Sequence, residues 1–203
     1  MNYGNIRTHF KAVLNRSDIT DALADTFIDQ GIARIQRQLR IPIMEAQQNY
    51  TISTQTGSVV VPNDMLELMD IYFDNSALVR LPLHDMLSLK KGSEAGTPKY
   101  FTRERSNILL YPEPSSGTLT VNYYAEFPEM ASDSDENTLA KVASDAIIYA
   151  ALTYASDYYI DERAQIFTQK YTSFMGELQE QSNDAEMSGS LQVMQPSATY
   201  TDY

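Results

Sequence analysis

Cysteine is absent from this 203-residue chain. That removes disulfides, thiol nucleophiles and cysteine metal sites together, and it fits a reducing compartment. No stretch approaches the roughly 20 apolar residues that would span a bilayer, so no membrane partner is expected. The opening Met1-Asn2-Tyr3-Gly4-Asn5-Ile6-Arg7 has no apolar run of the secretory type. Histidine occurs twice, at His9 and His84, on distant segments. Gly92-Ser93-Glu94-Ala95-Gly96 lacks the Lys-Ser/Thr that completes a phosphate cradle, and no Gly-x-Ser-x-Gly elbow is present. Positive charge is scarce: 15 Lys and Arg face 27 Asp and Glu, for a net charge of −12. A protein that grips duplex DNA through its bulk surface carries the opposite sign. An acidic wall beside DNA would instead repel phosphates and let the duplex slide.

What is present is a core. Hydrophobic residues make up 43% of the chain, which predicts a folded protein. Ile6, Phe10, Val13 and Leu14 take helical spacing over about Asn5 to Leu14. Ser17 and Asp18 offer a helix start. Leu23, Phe27, Ile28, Gly31, Ile32, Ile35 and Leu39 then draw one stripe on a second helix ending before Pro42. Gly31 in its interior predicts close contact with another element. Asp21, Asp25 and Asp29 lie in the first half and Arg34, Arg37 and Arg40 in the last turns, as the helix dipole favours. The arginines read either as a solvated helix end or as contacts to a neighbouring subunit or to phosphate, and all six charges are the expected subunit-interface residues, acid edge against arginine edge between neighbours.

The period then changes to two. Tyr50, Ile52 and Thr54 alternate, as do Val59 and Val61. Leu66, Leu68, Ile71 and Phe73 read as a strand pair or one bulged strand. Residues 82–91 predict a short helix. Tyr100-Phe101-Thr102 and Ile108 to Tyr111 flank a polar turn. Thr118 to Ala125 is a further strand with Leu119, Val121 and Tyr123 on one face. Pro112 and Pro114 cannot donate ladder hydrogen bonds, and with Ser115-Ser116-Gly117 they predict a hairpin in which Leu119 to Tyr124 returns alongside Ile108 to Tyr111. From Leu139 to Tyr158 a helical rhythm of Ala, Ile and Tyr predicts a central, unbroken helix. Asp161-Glu162 starts another, with Ala164, Phe167, Tyr171, Phe174 and Leu178 on one face. Tyr123, Tyr154 and Tyr158 are expected in the core. After Glu180 the chain turns polar and reads as flexible, and from Thr172 to Tyr203 there is no Lys or Arg. Leu191, Val193, Met194, Tyr200 and Tyr203 read either as part of a loose terminus or as the contacts of an arm that orders on a partner. Asp133-Ser134-Asp135-Glu136-Asn137 resembles the start of a calcium loop, but Thr138 replaces the turn glycine and Ser144 the bidentate Glu, so a helix start is the better reading.

Gly96-Thr97-Pro98-Lys99-Tyr100-Phe101, Ile108-Leu109-Leu110-Tyr111-Pro112-Glu113-Pro114 and Leu119-Thr120-Val121-Asn122-Tyr123-Tyr124 come in an order that resembles the core of the tailed-bacteriophage head-to-tail adaptor family. Ile35 to Pro42 resembles its N-terminal helix end. Asn137-Thr138-Leu139 and Tyr158-Tyr159-Ile160-Asp161-Glu162 resemble its C-terminal half, while Glu129-Met130-Ala131-Ser132 departs from it. The resemblance implies a non-enzymatic virion protein without cofactor or metal. Its partners would be copies of itself in a ring, commonly twelvefold, the portal protein, tail or nozzle proteins, and double-stranded DNA passing without tight binding. It would sit at the head-tail junction after assembly in the host cytoplasm. The expected fold is α+β: an antiparallel helical bundle from both ends of the chain, a small antiparallel β-sheet or sandwich inserted between, and an extended C-terminal arm. Residues 1–180 would form the adaptor domain (helices about 5–40 and 138–180, β-rich insertion about 46–126), and 181–203 the arm. Rivals are a tail-side completion protein of the same neck, a free-standing binding module, and a small hydrolase with unrecognised carboxylates.

Overall fold

The computed structural model describes residues 1–90, 92 and 94–187. Two helices lead the chain, α1 (Tyr3–Leu14) and α2 (Asp21–Gln38). A 3-10 turn (Pro42–Met44) leads into β1 (Glu45–Ile52), β2 (Ser58–Val60), β3 (Met65–Phe73), β4 (Ser76–Ala77) and β5 (Val79–Arg80). After α3 (Leu83–Leu89) come β6 (Tyr100–Glu104), β7 (Asn107–Tyr111) and β8 (Gly117–Ala125). Three helices close the described chain: α4 (Thr138–Val142), α5 (Ser144–Tyr159) and α6 (Ala164–Met187). The fold is mixed α+β, with six α-helices and two sheets among the described residues.

One core is helical. The stripe of α2 buries Phe27, Ile28, Gly31 and Ile35 against α5, whose Ala146, Ala150, Ala151 and Ala155 are fully buried. Gly31 sits where a Cβ would fall 2.8 Å from the backbone nitrogen of Ala151. The close approach expected of this glycine is therefore real, and it offsets the roughly 1 kcal/mol that Gly costs in a helix interior. The chain start is clasped to the far end of the sequence. The Tyr3 and Gly4 amides donate to the carbonyls of Asp135 and Asp133 at 2.9 and 3.0 Å. Arg163 donates to the carbonyls of Leu14 and Val13 at 2.8 and 3.3 Å, satisfying orphan acceptors at the end of α1.

The second core lies between two four-stranded sheets, ordered β1-β8-β3-β4 and β2-β7-β6-β5. Leu119, Val121 and Tyr123 of β8 supply it from the first sheet, and Phe101, Ile108 and Leu110 of β6 and β7 from the second. The period-two alternation of β8 appears directly as alternating burial.

Several expectations need correction. The proline turn does not make a hairpin: β7 pairs with β2 and β6, whereas β8 pairs antiparallel with β1 and β3. Residues 112–116 carry the chain from one sheet to the other, which is also where ladder donors are dispensable. The Leu66–Phe73 segment is one strand with two register shifts. The pairing is not wholly antiparallel, since β5 runs parallel to β6. Thr20 caps α2 by accepting from the Leu23 amide at 3.3 Å, while Asp18 pairs with Arg16. The Ala-rich helix is interrupted at Ala143 (φ −138°, ψ 46°). Tyr158 is exposed, touching Phe27 edge-on. Helix α6 continues through Met187, so 181–187 are helical.

Candidate assembly surfaces

The acid edge of α2 faces α1. Asp21 pairs with Lys11 at 2.7 Å and Asp25 with Arg7. Asp29 accepts from the Tyr3 hydroxyl at 3.0 Å. Burial, helped by the charge of Asp25, lifts the Asp29 carboxyl above its ordinary range against the opposing Tyr3 hydrogen bond. Burial and the same carboxylates push the Tyr3 hydroxyl well above 10. Arg7 also reaches Asp133 at 2.6 Å, so one guanidinium joins α1, α2 and the loop before α4. A planar fork suits such bridging.

The arginine edge faces elsewhere. Arg34 donates to the Thr153 hydroxyl at 2.9 Å and lies over the Tyr171 ring, 4.4 Å from its centroid. Arg37 is exposed and makes a 3.4 Å contact to the Tyr154 hydroxyl. Arg40 pairs with Glu67 on β3 at 2.8 Å and donates to the carbonyls of Gln36 and Leu39 at 2.8 and 2.6 Å. All six charges thus have partners within the chain, and Asp21, Asp29 and Arg37 are the exposed ones. The tail contacts Leu191, Val193, Met194, Tyr200 and Tyr203 lie outside the described residues.

The calcium-like run is engaged in local structure. Asn137 caps α4 through the Ala140 amide at 2.8 Å. Asp135 accepts from the Ser132 hydroxyl at 2.6 Å and from the Ser132 and Ala131 amides at 2.8 and 2.9 Å, and these bonds, the hydroxyl's first, hold its carboxyl below the usual range. Glu136 meets the chain's amino terminus. Among the described residues no group of three or more His, Asp or Glu is arranged to hold a metal ion. His9 lies on α1 and His84 on α3. Asp29, Glu126 and Glu129 line one shallow cleft of about 280 Å³. The polar groups around it join segments: Gln36 accepts from the Phe127 amide at 2.8 Å, and Asn137 donates to the Pro128 carbonyl at 2.9 Å. No described helix is long and apolar enough to cross a membrane.

Sequence reasoning missed two bridging arginines. Arg7 and Arg163 tie segments more than 100 residues apart. Their signal was weak, because a single arginine on a polar face has no period.

The sequence model of the SU10 adaptor protein family matches residues 1–194. The chain belongs to that family, a family of phage head-to-tail adaptors. The match runs through both helical segments and the whole β insertion, so it covers one continuous architecture. No individually curated protein matches the chain. As an SU10 adaptor family member the protein is a bacteriophage structural component.

Proposed function

We propose that this SU10 adaptor family member forms a ring, twelvefold in the simplest case, in the virion neck. The ring links the portal protein to tail or nozzle proteins and surrounds the DNA exit channel after assembly in the host cytoplasm. The family match over residues 1–194 carries this reading. The charge agrees with it: a subunit of net −12 lets duplex DNA pass without capture. Ring subunits meet through heterologous contacts that close by rotation, so each copy needs two different, complementary patches. The carboxylate edge of α2, with Asp21 and Asp29 exposed, is one half. The arginine edge can form the other only through Arg37, because Arg34 and Arg40 are held by Thr153 and Glu67. The segment from Leu191 to Tyr203, apolar residues set among small polar ones with no base, is proposed as the portal contact.

Electron microscopy of the purified chain added to portal-bearing, tailless capsids tests this. Annular density on the portal vertex is the expected result, and a chain ending at Met187 should stay folded while losing at least tenfold in portal affinity. Particles without added density would refute the ring, and undiminished binding by the shortened chain would refute the tail contact.

A further inference from the structure

The β part carries a surface at odds with the rest of the molecule. Between Val79 and Arg105 there are six basic residues against three acidic ones. This stretch is net +3, within a chain whose remainder is −15. Lys90 is paired with Glu113, but Arg80, Lys99, Arg103 and Arg105 form no ion pair among the described residues. Arg80 and Arg103 line an open groove of about 410 Å³ with Leu81, Pro82, Leu83 and Thr102. The short helix α3 beside it buries Met86 alone. Leu83 and Leu87, one turn from each other, are 37% and 52% exposed, and Val79 is 57% exposed. A seven-residue helix that buries one methionine and leaves its leucines in water has apolar surface to spare.

A second surface has the same apolar excess with the opposite charge. At the corner joining α5 to α6, Ile160 is 90% exposed. It also sits in the left-handed region (φ 54°, ψ 51°), which a β-branched residue rarely enters and glycine would relieve. Tyr158 beside it is exposed. Charges around the corner come from three elements. Arg16 is engaged by Asp18 and lies over the Tyr159 ring, and Arg163 is engaged by Asp161. Asp157 and Glu162 are exposed and have no ion pair among the described residues. The corner is therefore an apolar knob with a free acidic rim.

We infer that the groove of Arg80, Arg103 and Leu83 on one copy, with Leu87 on the same short helix as Leu83, receives the Ile160 corner of the next copy, with Asp157 and Glu162 meeting the arginines. The inference rests on the ring reading and supplies the basic half that the arginines of α2, spent inside the chain, supply poorly. A second copy fits better than nucleic acid, because phosphates would satisfy the arginines and leave the leucines and valine wet. The acidic remainder of this same chain is the complementary charge already at hand.

The absence of cysteine makes the test clean. Leu87→Cys and Ile160→Cys are introduced together and singly, and each protein is treated with a short bis-maleimide on portal-bearing capsids, with rings scored by microscopy in the same samples. The double variant should give a ladder of covalent species beyond the dimer, and each single variant should remain monomeric. Adding Arg80→Glu and Arg103→Glu should abolish all species above the monomer, and further adding Asp157→Lys and Glu162→Lys should restore them. Rings without a ladder would overturn this contact and leave the ring standing. Neither rings nor ladder would overturn both. Dimers from a single variant would replace the contact by a two-fold one. Retention of duplex DNA that Arg80→Glu and Arg103→Glu abolish, with no ladder, would make the groove a phosphate site instead.

Discussion

The helical core and the sheet core of this protein are filled by different means. Around α2 and α5 the buried set includes Ala24, Ala140, Ala143, Ala146, Ala150, Ala151 and Ala155 with Gly31. Between the sheets the buried set holds a single alanine, Ala125, and is otherwise Ile, Val, Leu, Phe and Tyr. Small residues let helix backbones come together, so the helical core depends on closeness and fails when an atom is added. Large branched and aromatic residues span the wider gap between sheets, so the sheet core depends on filling and fails when atoms are taken away.

The largest effect should come from removing volume between the sheets. Leu119→Ala, at a fully buried position on β8, should cost about 2–5 kcal/mol by the cavity it leaves. Denaturant unfolding measures it, and a cost under 1 kcal/mol would mean that the sheets collapse to fill the space. Next comes the smallest possible addition between the helices. Gly31→Ala gains about 1 kcal/mol of helix propensity, yet its methyl meets the Ala151 backbone nitrogen at 2.8 Å. A net loss of about 1–3 kcal/mol is expected from overpacking, read by thermal unfolding. A stabilised variant would show that α2 and α5 can slide apart, and the contrast between the cores would dissolve.

The smallest effect concerns the ion pairs that fasten the helical part. Hydrogen bonds from Arg163 hold the Asp161 carboxyl down at about 2. A carboxyl lowered on folding contributes stability that is fully present above its unfolded value, near 4, and lost as pH falls toward 2. Screening by water limits this to about 1 kcal/mol or less. Asp161→Asn should therefore be less stable than the parent at pH 6, and the difference should close between pH 4 and pH 2. A gap that persisted at pH 2 would assign the loss to helix geometry rather than to charge.

How legible these features were depended on their range. The helices were readable because a stripe such as Phe27, Ile28, Gly31 and Ile35 recurs every turn. The strand from Thr118 to Ala125 was readable because burial alternates along it. The family was readable from the order of short motifs. Strand partners were not: β8 lies beside β1, and the Glu45–Tyr124 and Ile52–Gly117 pairings that fix this leave no mark on the period of either segment. The break at Ala143 was hidden because the apolar rhythm runs on across it. The polar stretch after Glu180 read as loose, although its Gln, Glu and Ala are good helix formers, and Gln179 beside it reaches the Arg40 carbonyl at 3.5 Å. For the charges expected at an interface, spacing placed Asp21, Asp25 and Asp29 on one helix without showing that Lys11, Arg7 and Tyr3 already hold them.

The placement of β8 has a consequence for how the protein is made. This strand is the last of the eight to leave the ribosome, yet it lies between β1 and β3 in the first sheet. Until residue 125 has been synthesised, those two earlier strands wait with their ladder edges open, and loop closure across some 70 residues sets the pace. Residues 1–125 carry 12 Lys and Arg against 13 Asp and Glu, so no excess of one charge keeps such half-made copies apart, and the acidic residues that would do so arrive only with the C-terminal helices.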